Sequence, residues 1–139
     1  MVRADYILRT EHTTTALHLQ DKTLYTGTEQ GHVTVYNTDL MRPTISWQAH
    51  SQQVLAISGT EHGVLTQGRE GSLALWKSGL CVRKCNVPCT GFCCVSLCPG
   101  EKWCYIGTDE NSKVYFGISL IYTSSYLFRL DIYKTTYNL

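Results

Sequence analysis

Leu24 to Tyr36 reads LYTGTEQGHVTVY, and forty residues later Val64 to Trp76 reads VLTQGREGSLALW. Each stretch places two apolar runs around a polar turn closed by glycine, Glu29-Gln30-Gly31 in one and Arg69-Glu70-Gly71 in the other. Tight antiparallel hairpins need a residue tolerant of positive φ at that point. A weaker third copy, Cys104 to Phe116 (CYIGTDENSKVYF), keeps the spacing at Gly107 and the apolar finish. Recurrence of a hairpin at this period implies stacked four-strand units, each supplying the lid of the next. Such a chain offers a binding surface more readily than a catalytic cavity.

Working outward, Thr15–Leu19, Thr23–Gly27 and His32–Asn37 read as strands of a first unit, with Thr44–Gln48 as its fourth after a loop holding Arg42-Pro43. Gln53–Ser58, Gly63–Gln67, Ser72–Lys77 and Leu80–Lys84 form the second. Phe92–Cys98, Trp103–Gly107 and Lys113–Phe116 begin the third, whose fourth strand is not evident. Val54-Leu55-Ala56-Ile57 and Leu73-Ala74-Leu75-Trp76 are apolar on both faces, as strands packed between two sheets require. His32 to Tyr36 alternates, as a half-exposed strand does. A single antiparallel sandwich has strands of this length but does not by itself generate a forty-residue copy.

The 139 residues carry a formal net charge of +1, with 17% charged. No basic stripe marks a nucleic-acid footprint and no acidic block marks a tail. The start, MVRADYILRT, lacks the apolar segment of a secretory signal. Val114–Phe128 is uncharged but too short to span a bilayer. The expectation is a soluble protein of the cytoplasm, the nucleus or both. All seven cysteines lie between Cys81 and Cys104. An odd number without a signal sequence argues against a disulfide framework. Cys81, Cys85, Cys89 and Cys93 recur every fourth residue, but Pro88 and Gly91 interrupt any helix that would align them, and the usual two-residue ligand gap is missing. Buried thiols acting as small apolar groups are the expectation, with no metal and no cofactor.

On these residues the chain resembles the WD-repeat β-propellers. In that family a histidine, a serine or threonine, an aspartate and a tryptophan tie each loop to its blade. The second unit matches with Ala49-His50 in place of Gly-His, then Thr66, Glu70 in the aspartate position and Trp76. In the first unit the corresponding positions are His12, Thr26, Gln30 and Tyr36, two of them substituted; the third unit has no histidine and ends on Phe116. Ile7-Leu8-Arg9, Ala16-Leu17-His18, Thr66-Gln67-Gly68-Arg69 and Gly91-Phe92-Cys93 are more particularly similar to the ASTRA-associated proteins and the related guanine nucleotide-binding protein subunit beta-like proteins. The resemblance implies an all-β, partial WD-repeat propeller of about three four-stranded antiparallel blades over residues 6–116, with the ring not closed. A seven-bladed ring at this period needs about 280 residues. Residues 117–139 read as a tail outside the family pattern, strand-forming or disordered; Ile118–Tyr122 and Tyr126–Leu130 are its strand-like stretches. Bare apolar faces imply that the isolated chain self-associates or depends on a partner.

The resemblance further implies a non-catalytic scaffold in a co-chaperone system that assembles phosphatidylinositol-3-kinase-related kinases, with protein partners and no nucleic acid, membrane or small-molecule substrate. A signalling adaptor like the G-protein beta subunits, or a truncated form that competes with a longer one, are the alternatives. Contacts are expected at the turns carrying Glu29, Gln30, Arg69, Glu70, Asp109 and Glu110. An enzyme would need His50 to serve as a base for Thr66, or an activating basic group beside Cys93-Cys94, where the nearest are Lys84 and Lys102.

Overall fold

The computed structural model describes residues 7–60, 63–87, 90, 91, 93–98, 102–108, 114–120 and 130–135. They form three four-stranded antiparallel sheets, each a simple meander in chain order. The first contains β1 (Thr14–Gln20), β2 (Thr23–Thr28), β3 (His32–Asn37) and β4 (Arg42–Gln48). The second contains β5 (Val54–Thr60), β6 (Gly63–Gly68), β7 (Ser72–Lys77) and β8 (Leu80–Asn86). The third contains β9 (Cys93–Cys98), β10 (Lys102–Thr108), β11 (Val114–Leu120) and β12 (Leu130–Thr135). β1 lies against β5 and β5 against β9, so the first strands of the sheets line up side by side while β4 and β8 form outer edges.

The forty-residue copy is also a copy of the hydrogen bonding. Glu29 N donates to Thr13 O at 2.9 Å, and Arg69 N to Gln53 O at 2.9 Å. Gly31 N donates to Thr28 O at 3.1 Å, and Gly71 N to Gly68 O at 3.1 Å. The register slips between Thr14 and Ala16 in β1 and between Val54 and Ala56 in β5, then again at Val35/Tyr36 and Leu75/Trp76. Gly31 and Gly71 have φ of 82° and 85°, the left-handed values that a side chain resists.

Most strand ends shift by one or two residues from expectation, and three differences have a particular physical cause or consequence. β4 begins at Arg42 and takes in Pro43, which was expected in a loop; it is an edge strand, where a missing N–H costs no ladder bond, and Pro43 sits beside the register slip. β11 runs from Val114 to Leu120, through Gly117 and past Phe116. The third sheet takes its fourth strand from Leu130–Thr135, where Phe116 pairs with Tyr133 and Gly117 with Ile132. That strand is difficult to read from sequence because nine residues separate it from β11 and none of them is the glycine that marks the turns of the other two units.

The core lies between sheets. Tyr25, Val33 and Val35 of the first sheet meet Val54, Ile57, Val64, Ala74 and Trp76 of the second. Ala56, Leu65, Leu73 and Leu75 on the other side of the second sheet meet Val95 of the third. The middle sheet therefore buries both faces, which is why β7 shows no polar alternation. Close approach is made possible by glycine: a Cβ on Gly27 would stand 2.5 Å from Val54 Cγ1, and one on Gly59 would overlap the Tyr25 ring. Thr15 Oγ1 adds a 2.7 Å bond to Val54 O across the same junction.

Candidate functional site

The most elaborate polar arrangement is buried at the junction between the first two sheets. His50 lies in the loop between β4 and β5, its backbone N donating to Gly31 O at 3.1 Å. Its side chain is fully enclosed. Trp76 Nε1 donates to Thr66 Oγ1 at 2.8 Å, and Thr66 Oγ1 lies 2.6 Å from His50 Nε2. His50 Nδ1 lies 2.6 Å from Glu70 Oε1. An indole nitrogen can only donate and an ionised carboxylate can only accept, so Trp76 at one end and Glu70 at the other orient the bonds between them around a neutral ring. Thr66 therefore accepts from Trp76 and spends its own proton on His50 Nε2. The Nδ1 position then carries the imidazole hydrogen, which points at the Glu70 carboxylate.

Burial pushes the His50 pKa down, and Lys84 adds to this, outweighing the opposing pull of Glu70. A neutral imidazole that donates from Nδ1 to Glu70 and accepts at Nε2 from Thr66 fits each of these contacts. Burial raises the Glu70 pKa, but bonds from Ser72, its own backbone amide and His50 outweigh burial and hold it below the usual carboxylate range. The result is a neutral histidine beside an ionised carboxylate. Gly68 completes the site: a Cβ there would overlap Glu70 Oε2 and His50 Nδ1, so the Thr66-Gln67-Gly68-Arg69 stretch has no room for a side chain at its third position.

Of the positions singled out from sequence, the structure brings His50, Thr66, Glu70 and Trp76 into one network. It adds Ser72, which sequence reading missed. Ser72 Oγ donates to Glu70 Oε1 at 2.7 Å and lies 3.1 Å from His50 Nδ1. The signal was available: Ser72 is a hydroxyl residue two positions beyond Glu70, across the turn that Gly71 makes with φ of 85°. The first-sheet positions do not assemble in this way. Thr26 Oγ1 donates to Thr34 O at 3.1 Å, His12 stacks loosely on His32 with ring centroids 6.1 Å apart, and Gln30 is exposed. Among the described residues, no side-chain bond joins His12, Thr26, Gln30 and Tyr36 to one another.

Chemically the His50 and Thr66 side chains are committed within the network, and Glu70 Oε2 is the carboxylate oxygen left buried without a hydrogen-bond partner among the described residues. The His50 ring nitrogens are both occupied, and Thr66 is held by two partners within a buried place, so neither is presented to a substrate. Glu29, Gln30 and Arg69 are exposed at the turns, whereas Glu70 is committed to His50 and Ser72. Asp109 and Glu110 lie outside the described residues. Among the described cysteines, Cys81 and Cys94 are exposed, which corrects the expectation of uniform burial. Cys81 lies on the outer edge strand β8, and Cys94 alternates with buried Val95 on β9. Cys85 is half-buried and packs against the second core, and burial pushes its thiol up to about 11.

No protein-family profile matches the chain. In sequence it is 28% identical over 103 residues to ASTRA-associated protein 1 of Candida albicans (strain SC5314), covering 70% of this chain and 27% of that protein. It is 35% identical over 75 residues to ASTRA-associated protein 1 of Schizosaccharomyces pombe, covering 52% of this chain and 20% of that protein. The chain thus spans about a quarter or less of the length of these relatives. In structure it is similar to the β-propeller domain of Myceliophteria thermophila Cps50 (Swd1), with a TM-score of 0.70 at 12% identity, over 95% of this chain and 40% of that one. It is similar to the computationally designed Ika4 protein with a TM-score of 0.70 at 14% identity, over 94% of this chain and 80% of that one. At these identities the structural likeness speaks for the fold alone. The chain has the fold of a partial β-propeller, its described residues forming three four-stranded blades that do not close a ring, and in sequence it resembles ASTRA-associated protein 1.

Proposed function

We propose that this chain is a non-catalytic scaffold that presents blade-end turns to protein partners. The observation that carries this reading is the division of polar groups. His50, Thr66, Ser72 and Trp76 are consumed in the buried network between the blades, while Glu29 and Arg69 stand exposed at equivalent turns forty residues apart, in no ion pair among the described residues. Loops held by a rigid sheet scaffold are where binding residues concentrate. The relatives carry an association with ASTRA in their name, which supports partners drawn from such an assembly. The finer reading is a co-chaperone role in assembling phosphatidylinositol-3-kinase-related kinases, in the cytoplasm, the nucleus or both.

The test is capture of purified ASTRA subunits by the tagged 139-residue chain. Glu29→Lys combined with Arg69→Glu is expected to lower affinity about tenfold with an unchanged urea midpoint, because both side chains are exposed and reversed charge opposes a complementary surface. Equal capture by parent and double variant would remove the turns from the interface. Absence of capture by the parent would remove the ASTRA partner.

A further inference from the structure

The face of the first sheet turned away from the second has no other sheet against it among the described residues. Two cross-strand rows define it. In one, Leu17 pairs with Thr26 and Thr26 with Thr34; in the other, Leu19 pairs with Leu24 and Leu24 with Tyr36. Residues directly opposite across an antiparallel pair share a face, and so do residues two apart on a strand. Forty residues on, the same rows read Ile57, Thr66, Ala74 and Gly59, Val64, Trp76. The first sheet covers that face of the second, and Ile57 is only 6% exposed, whereas Leu17 and Leu19 are 64% and 62% exposed.

Three observations bear on what seats against this face. First, its hydroxyls are already satisfied. Thr26 Oγ1 donates to Thr34 O at 3.1 Å, Thr34 Oγ1 to Ser46 Oγ at 2.9 Å and Ser46 Oγ to Val33 O at 3.2 Å. The two rows contain no charged residue, so covering them desolvates no charge and leaves none of these hydroxyl protons unpaired. Second, Leu19 stands where the second sheet has Gly59, the residue that makes room for the Tyr25 ring in the joint inside the chain. Tyr105 holds the Tyr25 place in the third copy of the repeat. End-to-end stacking of copies would bring a tyrosine to the space that Leu19 fills, so the joint inside the chain is not the pattern for this face. Third, Arg9 and Glu11 border the face, lining one cavity with Thr26 and Tyr36. Both are exposed, and neither is in an ion pair among the described residues.

We propose that this face is a two-fold interface between two copies of the chain. A two-fold axis sets one patch against itself, so the patch has to be self-complementary. Leu17 and Leu19 of each copy pack against those of the other and form an uncharged centre, as the cores of specific interfaces do. The axis reverses one flanking segment against the other, so Arg9 of each copy meets Glu11 of the other in two equivalent pairs at the rim. Leu19 also opposes end-to-end growth, and assembly stops at two. The proposal goes beyond the scaffold reading and uses neither Glu29 nor Arg69.

Sedimentation equilibrium of the full 139-residue chain is expected to show monomer and dimer and nothing larger. Leu17→Asp with Leu19→Asp is expected to abolish the dimer and leave the urea midpoint of the dilute chain unchanged, because both side chains are exposed. Glu11→Arg sets like charges opposite each other twice and is expected to weaken dimerisation about fivefold. Adding Arg9→Glu is expected to restore it, since the exchange rebuilds both pairs. A tagged chain carrying Leu17→Asp and Leu19→Asp is expected to leave the untagged parent in solution, because both copies must offer the same face. A monomeric parent, species that grow past two, capture of the parent by the tagged variant, or a charge exchange as weak as Glu11→Arg alone would overturn the proposal.

Discussion

At the scale of single residues, Thr66 and Thr26 occupy equivalent positions and do unequal amounts. Thr66 satisfies two buried ring nitrogens, and Thr26 only donates to a backbone carbonyl. Thr66→Val leaves both nitrogens buried without partners, at a cost of about 1–3 kcal/mol for each. It is expected to lower stability by about 3 kcal/mol in urea denaturation, against about 1 kcal/mol for Thr26→Val. Equal losses would show that the second-blade network adds nothing beyond its copy. The same network makes stability sensitive to pH. The folded His50 binds its proton more weakly than the unfolded chain does, so stability falls as pH drops below the ordinary histidine value of about 6.5. Glu70 is also lowered, so its contribution is intact above the usual carboxylate value and is lost as pH falls through the folded one. Between about pH 7.5 and about 5.5 the urea midpoint of the parent is expected to fall more steeply than that of His50→Gln, and parallel profiles would contradict the assignment. Cysteine reactivity follows exposure in the same way. Iodoacetamide at neutral pH with peptide mapping is expected to label Cys81 well before Cys85, whose thiolate is scarce.

At the scale of strands and sheets, the contact between blades depends on positions where a side chain is absent. Gly27 in β2 admits Val54 of β5, which has no solvent exposure. Gly27→Ala forces a methyl against Cγ1 of Val54 and is expected to destabilise by about 2 kcal/mol, the usual size of an overpacking effect. Pairing it with Val54→Ala should recover part of that loss in a double-mutant cycle, since the two changes act on one contact. Additive losses would place the strain elsewhere. The hairpin at Ser78-Gly79, with φ of 51° and 76°, supplies the paired left-handed residues that a two-residue connection between β7 and β8 requires.

At the scale of the whole chain, burial is graded along the sequence of blades. The second sheet is covered on both faces, whereas Leu17 and Leu19 of β1 remain 64% and 62% exposed. They are two residues apart on one strand and so face the same way. The 139-residue chain is expected to run above its monomer mass in size-exclusion chromatography, increasingly so with concentration, and Leu17→Thr with Leu19→Thr to shift it toward monomer. A single sharp monomer peak from the parent would remove this expectation.

What could be read from residues alone was everything carried by local order. The forty-residue copy, the glycines of the two turns and the double-sided apolar strands Val54–Ile57 and Leu73–Trp76 are written in adjacent positions, so the sequence determined two four-stranded meanders and the first three strands of a third. The resemblance to the WD-repeat pattern also pointed to His50, Thr66, Glu70 and Trp76, because that pattern matches residue by residue in the second unit. Tertiary structure decided what depends on a neighbouring sheet or a distant strand. It recruited Ser72, left the first-blade set unassembled around a tyrosine with no indole N–H, and paired Leu130–Thr135 onto β11. It also decided that Trp76 finds an acceptor while Trp47 does not. The physical reason is that periodicity specifies which face a side chain takes, whereas a hydrogen-bond partner or a covering surface depends on how two sheets are set against each other.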